Sequence, residues 1–385
     1  MRIMVLGGVG WIGSVITRIL ADHPDPSEVV IGDIDLAGAN ALIDKIGAAD
    51  KVTVLEVDVT DHQALVTAMK GFDVIANATW YEMAMRVMLA AMEAGVDVVD
   101  LGGMPDLTRE QLDLHDEVAA SGIVNVIGIG ETPGISNLFA KWGADRLDTI
   151  ESIRIRDGEY GKDSLDWLQH SVRTSMDEMT APSVIYENGE YVAKPPRSGS
   201  ELYRFPEPIG EQECFYVPFE EAVTLPRFLG KPVGTVEMKV TVSPDLMRNF
   251  DTLEMFGLTS SDPVTTRAGV NVPPVDVLIS TVLGMDIPPR GGRTYSCIAV
   301  ELVGTLDGER VLRRITGMME DREDWGVDGE GYKTALPLAL AAVMVAKGEI
   351  PERGVLVPEA CIDPVPFIRL LEDGGLQVTD EIESA

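Results

Sequence analysis

Apolar positions in the first 130 residues fall into two rhythms that take turns. Short unbroken apolar runs cover 2–6, 29–33, 52–57, 74–78, 96–101 and 124–128, and they are rich in Val and Ile. Runs of this kind, with no polar alternation, fit strands buried on both faces of a parallel sheet. Between them, segments 11–22, 36–46, 62–69, 82–94 and 108–120 space their apolar residues at helical intervals. Ile12, Val15, Ile16, Ile19 and Leu20 show this spacing in the first of them. Alternating strands and helices predict an α/β fold, a doubly wound parallel sheet (Rossmann) domain over residues 1–130.

The rhythm changes after residue 130. Residues 149–156 and 233–242 read as strands; 165–179, 246–256 and 275–283 read as helices. Asn188-Gly189 and Asp307-Gly308 sit between β-rich segments (185–192, then 294–305 and 310–318), so each marks a hairpin. This predicts an α+β domain with a mixed or antiparallel sheet over 131–330. A strongly apolar helix follows at 332–347, inside a C-terminal segment 331–385, and should pack back on the first domain. The acidic end, 379–385, reads as a frayed tail.

Composition narrows the classes. The chain has 385 residues and a net charge of −32, which argues against nucleic acid and anionic membrane as partners. An acidic, solubilising surface accounts for that charge; steering of a cationic amine is the functional alternative. No apolar run reaches the ~20 residues that cross a bilayer, and the start lacks a signal-peptide pattern, so a soluble cytoplasmic protein is expected. Cys214, Cys297 and Cys361 are scattered, which supports neither a zinc site nor a disulfide framework.

The candidate chemistry begins at the end of the first run. Gly8, Gly10 and Gly13, with Val9, Trp11 and Ile12 between them, have G-x-G-x-x-G spacing, and Asp33 ends the second run. Gly8 is assigned the tight turn, Gly10 the close approach of a pyrophosphate, and Gly13 the packing of helix on strand. The helix N-terminus offers N–H groups to phosphate. Asp33, followed by Ile34, is placed to accept hydrogen bonds from the adenosine ribose. Asp33 and Asp35 would repel a 2′-phosphate, by about 4 kcal/mol for unit charges about 4 Å apart at an effective dielectric near 20. No Arg or Lys lies between Arg18 and Lys45, so NAD is expected in preference to NADP.

Ligands of such sheets sit beyond the carboxyl ends of the strands. That rule selects Asp58 and Val59 for the adenine side, and Asn77, Ala78 and Thr79 for the pyrophosphate and nicotinamide ribose. It selects Asp100, Glu131 and Thr132 for the reactive end. Helix capping or turn formation accounts equally well for Asp58 and Asp100. Trp80 and Tyr81 could wall a substrate pocket or fill a core.

Several motifs together resemble the saccharopine dehydrogenase family. They are the N-terminal glycine loop, Gly130-Glu131-Thr132-Pro133-Gly134-Ile135-Ser136-Asn137-Leu138, Met179-Thr180-Ala181-Pro182, Phe205-Pro206-Glu207-Pro208-Ile209-Gly210 and Thr224-Leu225-Pro226-Arg227. The C-terminal run from Ala346-Lys347-Gly348 to Phe367 resembles the L-lysine 6-dehydrogenase branch in particular. The resemblance implies NAD(P)-linked chemistry at a C–N bond, and a second domain that binds substrate and forms a homodimer. It departs from the saccharopine-forming pattern at Thr132, where those reductases place Asp. The expected function is an oxidoreductase that takes hydride from an amino acid or related amine and gives an imine. Alternatives are a reductase of the saccharopine or carboxynorspermidine type, joining an amine to a carbonyl compound, and a non-catalytic NAD sensor or scaffold. The acid/base work falls to Asp100 or Glu131, with His170 a weaker choice. An amino-acid carboxylate would call for Arg173 or Arg227, ahead of Arg197. No metal is expected.

Overall fold

The computed structural model describes residues 1–161, 172–285 and 293–385. Strands β1 (Arg2–Leu6), β2 (Glu28–Asp33), β3 (Val52–Glu56), β4 (Val74–Asn77), β5 (Asp97–Asp100) and β6 (Val124–Val126) follow the six apolar runs. The second half contributes β7 (Thr149–Tyr160), β8 (Ser183–Glu187), β9 (Glu190–Lys194), β10 (Glu201–Arg204), β11 (Glu211–Tyr216) and β12 (Val233–Thr241). It continues with a small hairpin, β13 (Val264–Thr265) and β14 (Asn271–Val272), and the long pair β15 (Tyr295–Leu306) and β16 (Glu309–Glu320). Two more strands close the chain, β17 (Gly354–Leu356) and β18 (Gln377–Ser384).

All seven strands of the first sheet are parallel, in the order β17-β6-β5-β4-β1-β2-β3. The pleat divides its residues between two cores. Ile3, Val5 and Ile31 meet Val15 and Ile16 on one face; Met4, Leu6 and Ile75 meet Leu65, Val66 and Val87 on the other. Burying a side chain of this size contributes roughly 1.5–3 kcal/mol, and these are fully enclosed. The helix Gly329–Ala346 is apolar nearly all round. It packs against the helix Trp11–Asp22 and against β4 and β5, so the chain returns to its first domain near the end. The next strand, β17, adds the seventh strand beside β6.

The second sheet is mixed, ordered β10-β11-β12-β7-β15-β16-β18, with β8 and β9 branching from β12. β12 runs parallel to β7, and its other pairings are antiparallel. Both predicted hairpins form: Asn188 and Gly189 have φ of 52° and 91°, Asp307 and Gly308 of 52° and 82°, the left-handed pair a type I′ turn needs.

Two expectations are corrected. The acidic end is an edge strand rather than a frayed tail, because β18 pairs along β16. Arg313 forks onto Asp380, with Nε to Oδ1 at 2.8 Å, and Thr316 meets Thr379 at 2.7 Å. The helix read over 108–120 is two, Pro105–Asp113 and His115–Ser121, broken at Leu114. Of the helix read over 165–179, the described part is Val172–Thr180; His170 lies outside the described residues.

Candidate functional site

The glycine loop follows β1 directly, and geometry assigns its glycines. Gly7 has φ of 72°, so the left-handed turn belongs to Gly7 and not to Gly8. A Cβ on Gly8 would meet Ile31 at 3.0 Å, making Gly8 a packing position. A Cβ on Gly13 would lie 2.1 Å from the Gly7 carbonyl oxygen, so helix and loop touch backbone to backbone there. Gly10 is exposed at the helix start, where a Cβ would meet only Gly7 O, at 3.1 Å. That helix has no side-chain cap and no acid in its first turn. An uncapped N-terminus beside an open glycine fits a bound pyrophosphate.

Asp33 stands at the end of β2, where its Oδ2 accepts from Val9 N at 3.0 Å and its Oδ1 from Asp35 N at 3.1 Å. Its carboxylate therefore fixes the loop and stands beside it. Ile34 is 70% exposed. Asp58 lies two residues past β3, and its Oδ1 accepts from Thr60 N and Oγ1; Val59 follows, half-buried. Asn77 is buried at the end of β4, its Oδ1 accepting from Thr79 N and Oγ1, which turns Ala78 and Thr79 outward.

Where the strand ends of the first domain face the second domain, a cleft of about 650 Å³ opens. The first domain lines it with Gly10, Trp11, Ile12, the stretch Ala78 to Tyr81 and the loop Leu101 to Gly103, and the loop after β6 adds Glu131 and Thr132. The second lines it from β7, from the helix Val172–Thr180 and from the segments around β12. Five carboxyl side chains face it: Glu131, Asp157, Glu159, Glu178 and Glu330. Among the described lining residues there is no Arg, Lys or His.

One ammonium group lies directly behind this wall. Lys333 is fully buried, and its Nζ ion-pairs with Glu131 Oε1 and stands 3.9 Å from Asp157 Oδ1. Burial alone would lower its pKa, but Glu131 and Asp157 raise it above the ordinary lysine value, so it stays charged. Burial and the neighbouring Glu131 push the Asp157 carboxyl well up, against the pull of Lys333. Burial, with Asp157 and Asp177 nearby, pushes Glu178 up to about 8.

Other predicted site residues hold the cleft in shape, and of these Tyr81 alone also lines it. Asp100 is buried, accepting from Gly102 N (2.9 Å), Gly128 N (3.2 Å) and Gln111 Nε2 (3.2 Å). It fixes two cleft loops and is not among the residues that line the cleft. Tyr81 donates to Asp177 Oδ2 at 2.6 Å, and Arg173 Nε donates to the same oxygen at 3.0 Å. Arg173 also donates to Asp276 and stands over the Trp80 ring, so its guanidinium binds the two domains together outside the cleft wall. Arg227 is exposed beside Phe228, away from the cleft. Arg197 serves Met179 O, Asp251 and Glu254.

The sequence reading missed Asp157, Glu178 and Lys333. Lys333 carried a signal: a lone charge in the apolar stretch of the returning helix. Asp157 and Glu159 also stood out as acids two apart at the end of a strand, sharing one face.

Comparison with known proteins fits this geometry. Residues 3–126 match the family model described as the saccharopine dehydrogenase NADP binding domain, and residues 130–376 that described as the saccharopine dehydrogenase C-terminal domain. A carboxynorspermidine synthase of Vibrio alginolyticus is 25% identical over 401 residues, spanning 96% of this chain and 94% of the relative. That of Vibrio cholerae is 24% identical over 398 residues, with the same coverage. Among solved structures, apo saccharopine dehydrogenase (L-Glu forming) from Saccharomyces cerevisiae shares the fold, with a TM-score of 0.76 at 18% identity over the whole of both chains. With family models matched along nearly all its length, the chain belongs to the saccharopine dehydrogenase family, as an oxidoreductase built on a pyridine-nucleotide domain.

Proposed function

We propose that this chain is a reductase that joins an amine to a carbonyl compound through a new C–N bond. The observation that carries this is the cleft wall: five carboxyl groups and, among the described lining residues, no cation. Such a wall suits a substrate with two or more ammonium groups, which carboxylates hold by charge-assisted hydrogen bonds. Among the described lining residues no cation stands ready for an amino-acid carboxylate, and the nearby Lys333 is already engaged by Glu131 and Asp157. The relatives named carboxynorspermidine synthase, a name that contains a polyamine, support the same reading. Oxidation of the lysine side-chain amine, the activity first expected, is the second reading; the same acidic wall would suit that amine. The dinucleotide, when bound, supplies the hydride.

We propose NAD as the working nucleotide. Asp33 and Asp35 meet the ribose end of the site with negative charge, although the matched family model is described as NADP-binding.

A single assay discriminates these readings. Purified protein is given reduced or, in a parallel series, oxidised nicotinamide nucleotide with diamines or lysine, alone and with short aldehydes or keto acids, while absorbance is followed at 340 nm. Consumption that requires both a diamine and a carbonyl compound is expected. Reduction of NAD+ by lysine alone would select the dehydrogenase, and tight nucleotide binding without turnover would select the sensor. Faster rates with NADPH than with NADH would reject the nucleotide assignment.

A further inference from the structure

We infer that Glu131 and Asp157 act as a base–acid pair on the reacting amine, with Lys333 as the positioning residue that decides which of them carries the proton. The inference rests on the amine-plus-carbonyl reading above. Three elements bring the groups together: Glu131 from the loop after β6, Asp157 from β7, and Lys333 from the returning helix. Both carboxyls face the cleft, whereas Lys333 is sealed behind them. The two carboxyls flank the same ammonium group, Lys333 Nζ. Two desolvated carboxyls gathered at one ammonium group hold one proton between them, because both cannot ionise cheaply. Lys333 breaks the tie. It ion-pairs with Glu131 but stands 3.9 Å from Asp157, so the negative charge settles on Glu131 and the proton on Asp157. The other titratable neighbours work the same way. Glu159 on the same strand raises Asp157, and Glu178, Glu221 and the Cys214 and Cys297 thiols are coupled to it electrostatically.

The pair closes a balanced cycle. The substrate arrives as R–NH3+. Glu131 takes one proton, and the free amine attacks the carbonyl carbon; the C=O π pair moves to oxygen, which takes a proton from the new ammonium nitrogen, giving a carbinolamine. Asp157 gives its proton to the carbinolamine hydroxyl; the C–O bond breaks, water leaves, and the nitrogen lone pair forms the C=N bond of an iminium ion. Asp157 is now ionised and Glu131 protonated. The proton returns from Glu131 to Asp157, its neighbour beside Lys333, and the pair is reset. Total charge is one positive before and after.

The test uses D157N, D157S, E131Q, K333M and K333R, retaining those variants that bind reduced nicotinamide as wild type does. D157N and E131Q are each expected to lower kcat by about 10²–10⁴-fold, the usual worth of a positioned acid or base. Loss of the acid removes the high-pH limb of the rate profile; loss of the base removes the low-pH limb. K333R should stay within about tenfold of wild type. K333M should move the low-pH limb to higher pH, which a merely structural lysine would not do. A second readout needs no turnover. The infrared difference between wild type and D157N at pH 7 should show a protonated carboxyl band, and that with E131Q an ionised carboxylate band. Wild-type coupling with D157N or D157S within threefold of it in kcat would overturn the pair while leaving the proposed function intact. Reversed infrared bands would overturn the proton assignment. A wild type that couples no amine to any carbonyl compound would instead refute the proposed function.

Discussion

At the level of single residues, the dinucleotide end is set by contacts that tolerate little change. An Ala at Gly13 would put a methyl group 2.1 Å from the Gly7 carbonyl oxygen, backbone against backbone. No rotamer relieves that, so the loop must shift. Gly13→Ala is expected to weaken dinucleotide binding at least tenfold, measured by fluorescence titration with NADH; unchanged affinity would show that the loop does not form the site. Asp33 tests nucleotide choice separately. Its Asn variant can still accept from Val9 N, so it removes the charge while keeping one loop contact. At an effective dielectric near 20, charges about 4 Å apart interact by about 4 kcal/mol, and the partly exposed position of Asp33 reduces this. Asp33→Asn is therefore expected to shift the NADH-to-NADPH preference, as a ratio of kcat/KM, by at least tenfold toward NADPH. An unchanged ratio would mean that Asp33 does not read the ribose.

Among the elements, the decisive contact joins the loop after β4 to the helix Val172–Thr180. Tyr81 and Arg173 meet on one oxygen of Asp177, and Arg173 extends to Asp276 on the helix Pro274–Leu283. Tyr81 lines the cleft, so this contact sets the cleft's width. Tyr81→Phe removes one hydrogen bond to a charged acceptor, a loss of roughly 1.5–3 kcal/mol where it is fully formed. Its expected effect is a rise in KM for the amine with kcat nearly unchanged; a fall in kcat at constant KM would place Tyr81 in the chemistry instead. The elements of the first domain were legible because continuous apolar runs and helical spacing are local signals. Those of the second were less so. β10 and β11 carry the half-buried Glu201 and the exposed Glu211 and Glu213, and β18 carries three acids among its eight residues. Their strand character comes from neighbours such as Arg313 and Lys239, which no local window contains. The site divides the same way. The glycine loop and Glu131 could be read from their spacing and strand-end position. Asp157 and Lys333 acquire meaning only when β7 and the returning helix close on Glu131.

For the whole molecule, the buried acids give stability an unusual dependence on pH. Burial raises Asp100, Asp157, Glu178, Glu220, Glu221 and Glu359 above their ordinary values, Glu221 to about 7 and Glu178 to about 8. A carboxyl whose folded pKa lies above its unfolded one binds its proton more tightly when folded. Its contribution is complete below about pH 4 and is lost as pH rises through the folded value. For Glu221, raised from 4.5 to about 7, the full swing is on the order of 3 kcal/mol. Paired acids such as Glu237, lowered in spite of burial by Arg156 and Tyr216, act the other way, but their window lies below the ordinary carboxyl range. His23, lowered by burial, opposes the trend near pH 6 as a single group. Thermal melts between pH 5.5 and 8 are therefore expected to show Tm falling as pH rises. The net charge of −32 adds a surface repulsion of the same sign, so the two must be separated. Salt does this, because it screens exposed charges over about 10 Å at 0.1 M and less at higher concentration, but hardly reaches buried ones. At 1 M NaCl the slope attributable to buried groups should persist, and Glu221→Gln, which keeps a partner for Ser136 Oγ, should flatten it. A Tm that rises between pH 5.5 and 8, or a slope that vanishes in salt, would show that these acids ionise in the fold at no cost.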